Sequence, residues 1–328
     1  MGTTTHDAEK LAYWRSWQAV TAHEVPDWPA ALRHVYHPDV AWYGPHPLND
    51  CIGIDAVLRK VWQPLLLACP DLERRDDILI AGEFRGSRWV AATGHFTGNF
   101  MHRWLGIPAT GGVVNIRYGE FSRMEQGRVR EAYVIFDLLD LMRQADAWPL
   151  GTVQGATERV PGPATRDGVR LAPGDALESQ QSLTLVEAMI AGLMQYDGKN
   201  LSSMGMERFW HPHFNWYGPA GIGTSRGLHG FQTVHQSPFL AAFPDRVGGN
   251  HKARLGDGHY VASTGWPSIS ATYSGSEWVG QRASSRAITM RVMDFWRREG
   301  AALAENWVFI DIVELLLQLG IAVPLESP

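Results

Sequence analysis

Tyr36-His-Pro-Asp-Val-Ala-Trp-Tyr-Gly-Pro45 returns further along the chain as Trp210-His-Pro-His-Phe-Asn-Trp-Tyr-Gly-Pro219. His37 and His211 are 174 positions apart, and the same offset pairs Gly53 with Gly227, Pro64 with Pro238, and Pro70-Asp71 with Pro244-Asp245. It continues through Trp104 and Trp278, Arg117 and Arg291, Phe121 and Phe295, and Glu131 and Glu305. Asp137 with Asp311, Leu141 with Leu315 and Gln144 with Gln318 close the series. The register slips only in between, where Gly94 pairs with Gly265 at an offset of 171. One offset held over so many scattered positions is the duplication of a whole domain, and the period is too long for a solenoid. The 328 residues have room for two cores of ordinary size.

Residues 1–150 are therefore expected to form the first copy, 151–176 a linker, and 177–328 the second copy. Gly151 to Asp175 carries Val160-Pro-Gly-Pro163 and Ala172-Pro-Gly174 without sustained periodicity, as a linker does. In the first copy, Leu11, Trp14, Trp17 and Val20 have helical spacing and predict a helix over Ala8 to Glu24. A short helix from Pro29 to Tyr36 and a short strand from Asp39 to Gly44 follow. Ile54 to Ala68 reads as a third helix that Pro64 breaks or kinks. Asp77 to Glu83, Trp89 to Phe100, Val113 to Met124 and Arg128 to Phe136 are strand-like, with turns such as Glu125-Gln-Gly127 between runs. A short helix, Leu138 to Gln144, ends the copy. Helices first and an antiparallel run of strands after them is α+β order. A curved sheet wrapped on helices leaves a concavity for a small molecule.

Composition narrows the function. Hydrophobic residues make up 45% and charged residues 19%, as in soluble globular proteins. A net charge of −5 offers no basic face for nucleic acid. No run of about 18 apolar residues is present to span a bilayer. Met1 to Lys10 is polar with Asp7 and Glu9, unlike a signal peptide, and the expectation is a cytoplasmic protein. Cys51 and Cys69 are too few for a disulfide framework or a thiolate zinc site. Among thirteen histidines, His34 with His37 and His211 with His213 come without ligand partners at metal-site spacing, so no metal is expected. The P-loop and the dinucleotide fingerprint are both missing. Fourteen tryptophans, nine tyrosines and twelve phenylalanines fill a core or line a pocket for flat ligands.

The domain ends are the most specific stretches. Gly127-Arg-Val-Arg-Glu-Ala-Tyr-Val-Ile-Phe-Asp137 with Leu138-Leu-Asp-Leu-Met-Arg-Gln144, and Glu305-Asn-Trp-Val-Phe-Ile-Asp311 with Ile312-Val-Glu-Leu-Leu-Leu-Gln-Leu-Gly320, resemble the closing strand and helix of SnoaL-like polyketide cyclases. Gly94-His-Phe-Thr-Gly98 and Leu105-Gly-Ile-Pro-Ala-Thr-Gly111 resemble that family's paired strands and connecting loop. The resemblance covers most of both copies. It implies a cone-shaped α+β barrel of the nuclear transport factor 2 type, present here as a tandem duplication, with a deep pocket and no metal or cofactor. It also implies an internal pseudo-dimer in place of the family's homodimer, with further homo-oligomers left open. The family's cyclases close rings by intramolecular aldol condensation, using an Asp on the last strand that maps onto Asp137 and Asp311. A His on the preceding strand often assists. None lies in 115–124 or 289–298, where Glu120 and Asp294 stand instead as candidates to bind the substrate.

Asp137 and Asp311 have two readings. In an apolar pocket the charged carboxylate is disfavoured, and its pKa rises towards that of a useful base. Asp137-x-x-Asp140 and Asp311-x-x-Glu314 are also helix N-cap patterns, which would lower that pKa. Tyr133 and Trp307, four residues earlier, share the face of each Asp. His95, whose counterpart is Trp266, and His46, whose counterpart is Ala220, are acid/base or binding candidates confined to the first copy, against structural roles. The repeated Trp42-Tyr43 and Trp216-Tyr217 close a strand or line a pocket. Trp62, Trp104 and Trp296 are further lining candidates. The leading reading is a cofactor-independent cyclase or isomerase acting on a hydrophobic, partly aromatic carbonyl compound; the alternative is a non-catalytic carrier of such a compound. The second copy reads Gln281-Arg-Ala-Ser-Ser285 where the first has Ile107-Pro-Ala-Thr-Gly111, which favours the first copy as the active one.

Overall fold

The computed structural model describes residues 5–20, 27–151, 155–157 and 160–328. The chain divides into two compact units. The first comprises Met1–Pro149, Ala164–Pro173 and Ala322–Pro328; the second comprises Leu150–Pro163 and Gly174–Ile321. The segment between the repeats is thus shared between the units. Gly155 N–H donates to the Ile222 carbonyl at 2.7 Å in the second unit, and Leu79 N–H donates to the Gly168 carbonyl at 2.9 Å in the first.

The first unit opens with α1 (Thr5–Val20) and α2 (Trp28–Val35). Residues 21–24 of the expected first helix lie outside the described residues. Asp27 caps α2 by accepting from Ala30 N–H at 3.0 Å, and Pro29 sits in the first turn, where no N–H is needed. Strands β1 (Tyr36–Tyr43) and β2 (Asp50–Ile52) precede α3 (Ile54–Val57) and α4 (Gln63–Ala68). Pro64 does not break this helix as the sequence suggested. It falls in the first turn of α4, directly after a π-helical turn over Leu58–Trp62 that carries the chain through. Strands β3 (Glu73–Phe84), β4 (Ser87–Asn99), β5 (Val113–Glu125) and β6 (Arg128–Phe136) lead into α5 (Leu138–Gln144). The sheet order is β2-β1-β6-β5-β4-β3, with β1 parallel to β6 and the other neighbours antiparallel.

The second unit repeats this plan with α6 (Ala176–Leu193), β7 (Trp210–Tyr217), β8 (Thr224–Arg226), α7 (Gly227–Phe231) and α8 (Ser237–Ala242). A π-helical turn again joins the last two, over Gln232–Gln236. Then come β9 (Val247–Gly248), β10 (His251–Asp257), β11 (Tyr260–Tyr273), β12 (Arg286–Glu299), β13 (Ala302–Ile310) and α9 (Ile312–Gln318). The sheet runs β10-β11-β12-β13-β7-β8, with β9 added beside β11. Both repeats are therefore α+β cones of one topology, a curved sheet closing over its helices. The Gly of the repeated Trp-Tyr-Gly-Pro is explained by close approach: a Cβ at Gly44 would lie 2.0 Å from the Trp42 ring, and one at Gly218 2.2 Å from the Trp216 ring. No helix among the described residues is long and apolar enough to cross a membrane.

Candidate functional site

The second unit contains a cavity of about 240 Å³ between the concave face of its sheet and its helices. Met189, Ile190, Leu193 and Met194 of α6 form one wall. Trp210 and Trp216 of β7, with Phe231, His235, Gln236 and Phe239, form another. The sheet contributes Val292, Asp294 and Trp296 from β12 and Asn306, Val308 and Ile310 from β13.

The sequence explains why this cone is hollow. Gln236 ends the π-helical turn where Trp62 ends its equivalent. Val292 holds the place of Tyr118: each gives its carbonyl to a buried threonine, Thr264 at 3.0 Å and Thr93 at 2.7 Å. Ile269 lies opposite Met290 as Phe96 lies opposite Ile116, and Gly248 lies opposite Ile269 as Arg74 lies opposite Phe96. Trp, Tyr, Phe and Arg in the first repeat thus become Gln, Val, Ile and Gly in the second. In the first unit those larger side chains fill the interior. Trp62 packs at 5.0 Å from Trp17 and 5.5 Å from Phe96, and Phe96 lies 4.8 Å from Tyr118. The Arg74 guanidinium lies over Trp17 at 4.3 Å and over Tyr118 at 4.6 Å. It pairs with Asp76 at 2.9 Å and Glu120 at 3.0 Å and donates to the Tyr13 hydroxyl at 2.8 Å. Every side chain of this cluster is buried.

The cavity of the second unit is apolar except for a few groups. Asp294 stands in the middle of the sheet wall with its partly exposed side chain opening onto the cavity. Burial pushes its pKa up to about 7, while a hydrogen bond from Asn306 Nδ2 at 3.4 Å and the charge of Arg254 pull the other way. Ser263 is its cross-strand partner, and Ser263 Oγ lies 3.4 Å from His251 Nδ1. On the helical wall the His235 ring stacks on Trp216, with centroids 4.5 Å apart. Burial pushes this imidazole down to about 3, so it is neutral at ordinary pH. Its Nδ1 has no hydrogen-bond partner among the described residues. The arrangement offers a carboxyl group poised near neutrality, set in walls that suit a flat apolar molecule.

Trp216, Asp294 and Trp296, singled out from sequence, line this cavity. Asp137 and Asp311 are placed as the N-caps of α5 and α9, accepting from Asp140 N–H at 3.3 Å and Glu314 N–H at 3.2 Å. Arg291 lies 3.2 Å from Asp311, and Arg117 3.9 Å from Asp137. Alternation along β13 turns Asn306, Val308 and Ile310 to the cavity, and hence Trp307 to the other face. There Trp307 packs on Tyr217 at 5.3 Å, as Tyr133 stacks on Tyr43 at 4.8 Å in the first unit. Trp266 underlies the Arg291 guanidinium, and His95 Nδ1 faces Asp77 at 3.2 Å. Trp42, Trp62 and Trp104 are buried in the first unit's core, Glu120 holds Arg74, and His46 lies in the turn after β1. His235, Gln236, Asn306, His251 and Arg246 line the cavity without having been picked from sequence. Reading the repeat for differences in side-chain size, Trp62 against Gln236 and Arg74 against Gly248, would have pointed to them. No group of three His, Cys, Asp or Glu suited to a metal occurs among the described residues.

The first repeat matches the SnoaL-like polyketide cyclase family, over residues 16–145. The second repeat shares the strand order of this SnoaL-like domain. Similar solved structures include a protein assigned as a SnoaL-like polyketide cyclase from Jannaschia sp. CCS1, 19% identical, covering 45% of this chain and 99% of that one with a TM-score of 0.36. TsrD from Streptomyces laurentii is 24% identical and covers 43% of this chain and 96% of its own, with a TM-score of 0.35. An NTF2-like protein from Burkholderia xenovorans LB400 is 14% identical over 43% of this chain and 96% of that one, with a TM-score of 0.34. No curated protein matches the chain.

Proposed function

We propose that the second repeat is the working copy and that Asp294 is its acid/base, acting on a hydrophobic, partly aromatic carbonyl compound. The observation that carries this reading is a carboxyl group held at about 7 in an apolar cavity. Ionised Asp294 takes a proton from carbon beside a carbonyl, leaving an enolate. If the enolate carbon attacks a second carbonyl of the same molecule, a carbon–carbon bond forms and the new alkoxide recovers the proton from Asp294, closing a ring. If the proton returns at another carbon, the outcome is isomerisation. Neither route consumes a cofactor. Trp216, Trp296 and the stacked His235 would hold the planar part of the substrate. The filled first repeat then serves as a structural partner, the reverse of the expectation drawn from its Ile107–Gly111 loop.

Enolisation can be read without knowing the substrate. Hydrogen–deuterium exchange at C1 of 2-tetralone in D2O, followed by NMR, is expected to run faster with the protein than in buffer and to lose that excess in Asp294→Asn. Exchange at the buffer rate, or unchanged in the variant, would contradict the catalytic reading. Stoichiometric binding without exchange would favour the carrier.

A further inference from the structure

We infer that the ligand of this cavity is an acid, its carboxylate held at the mouth by Arg246 while its apolar body reaches towards Asp294. This rests on the cavity being the ligand site. Arg246 lines the cavity just before β9 and is half-buried. Its guanidinium lies over the Tyr196 ring at 5.5 Å, and among the described residues no carboxylate pairs with it. The neighbouring Asp245 carboxylate is engaged elsewhere, accepting from Thr272 N–H at 2.8 Å. A partly desolvated guanidinium stays charged and gains most from an anion that presents two oxygens.

The repeat sharpens the point. At the 174-residue offset Arg246 stands where the first copy has Leu72, which is buried, and two residues on Gly248 stands where it has Arg74. The cation has moved from a filled interior, where two carboxylates neutralise it, to the mouth of an empty one. Met194, which lines the same cavity, is a strongly exposed apolar residue, so the mouth combines one cation with an apolar rim. Gly248 is level with Met290 through Ile269, four residues along β12 from Asp294. At the rise of an extended strand this level is about 13 Å from Asp294, and Arg246, two residues before Gly248, stands beyond it.

The probes are 2-naphthoate and its uncharged methyl ester, titrated calorimetrically at about pH 6, where the acid is ionised and Asp294 is largely protonated. The acid is expected to bind about tenfold more tightly than the ester to the natural protein. In Arg246→Gln that preference should vanish while ester affinity holds. Equal binding of acid and ester, or a preference that survives Arg246→Gln, would overturn the inference and leave the cavity reading intact. Acid binding that persists when Gly248→Leu fills the mouth would place it elsewhere and also overturn it. If neither probe binds the natural protein, the cavity reading falls and takes this one with it.

Discussion

Arg74 lies across the sheet from Phe96, and Gly248 lies across from Ile269, so the two residues occupy one position of the repeated cone. In the first copy that position sends a guanidinium into a cage of Asp76, Glu120 and Tyr13. In the second it sends nothing, and the space beside it is the cavity.

Gly248→Leu should close the site without unfolding the protein. A Cβ there would meet Met194 at 3.8 Å, an ordinary contact, and the remaining carbons would extend into the mouth. Calorimetry with 2-naphthoate is expected to show binding lost, with a melting temperature within a few degrees of the natural protein. Retained affinity would mean that this mouth is not the entrance.

Arg74→Leu should be severely destabilising. It strands Asp76 and Glu120 in a dry interior, and breaking a buried pair from one side costs about 3–5 kcal/mol. Urea denaturation reads this directly. A loss under about 1 kcal/mol would show that the cluster is wetter than described.

Asp294 and His235 should tilt the stability of the protein in opposite directions with pH. Asp294 is protonated in the folded state up to about 7 but ionises near 3.8 when unfolded, so its contribution falls as pH rises through that window. His235 stays neutral down to about 3 but takes a proton near 6.5 when unfolded, so its contribution falls as pH drops from 6.5 towards 3. Asp294→Asn is therefore expected to gain stability over the natural protein at pH 8 and not at pH 4. His235→Phe should gain, beyond any constant offset, at pH 4 and not at pH 8. Parallel denaturation curves across pH for either variant would refute the corresponding shift.

The topology was legible because it is written twice. One offset fixed the duplication, and runs such as Arg128 to Phe136 showed their strand character and bounds. The three-residue β2 is too short to carry a period and was missed. The face of the sheet that holds the site was not legible. Along β13, Trp307, Val308 and Phe309 are all buried, so apolar residues succeed one another and alternation gives no contrast between the faces. Alternation groups Asp311 with Trp307, but only the folded sheet shows that Asn306, Val308 and Ile310, and not Trp307, face the cavity. The site itself is a difference between copies, Trp62 against Gln236 and Tyr118 against Val292, and becomes one cavity only when distant strands and the π-helical turn meet.

Asp311 should behave as a cap. Asn caps about as well as Asp, so Asp311→Asn is expected to keep ligand affinity and any exchange activity, with a small loss of stability from the Arg291 pair. Asp311→Ala should cost about 0.5–2 kcal/mol in addition, read by thermal denaturation. Exchange activity abolished by Asn at this position would return the catalytic role to Asp311.

The central claim is that one carboxyl group of the second repeat is poised near neutrality by an apolar cavity. Carbon-13 NMR of protein labelled at aspartate side-chain carboxyls, titrated with pH and compared with Asp294→Asn, reads that group directly. The account predicts one resonance that titrates near 7 and is missing from the variant. An Asp294 resonance titrating near 4, as an ordinary surface aspartate does, would contradict it.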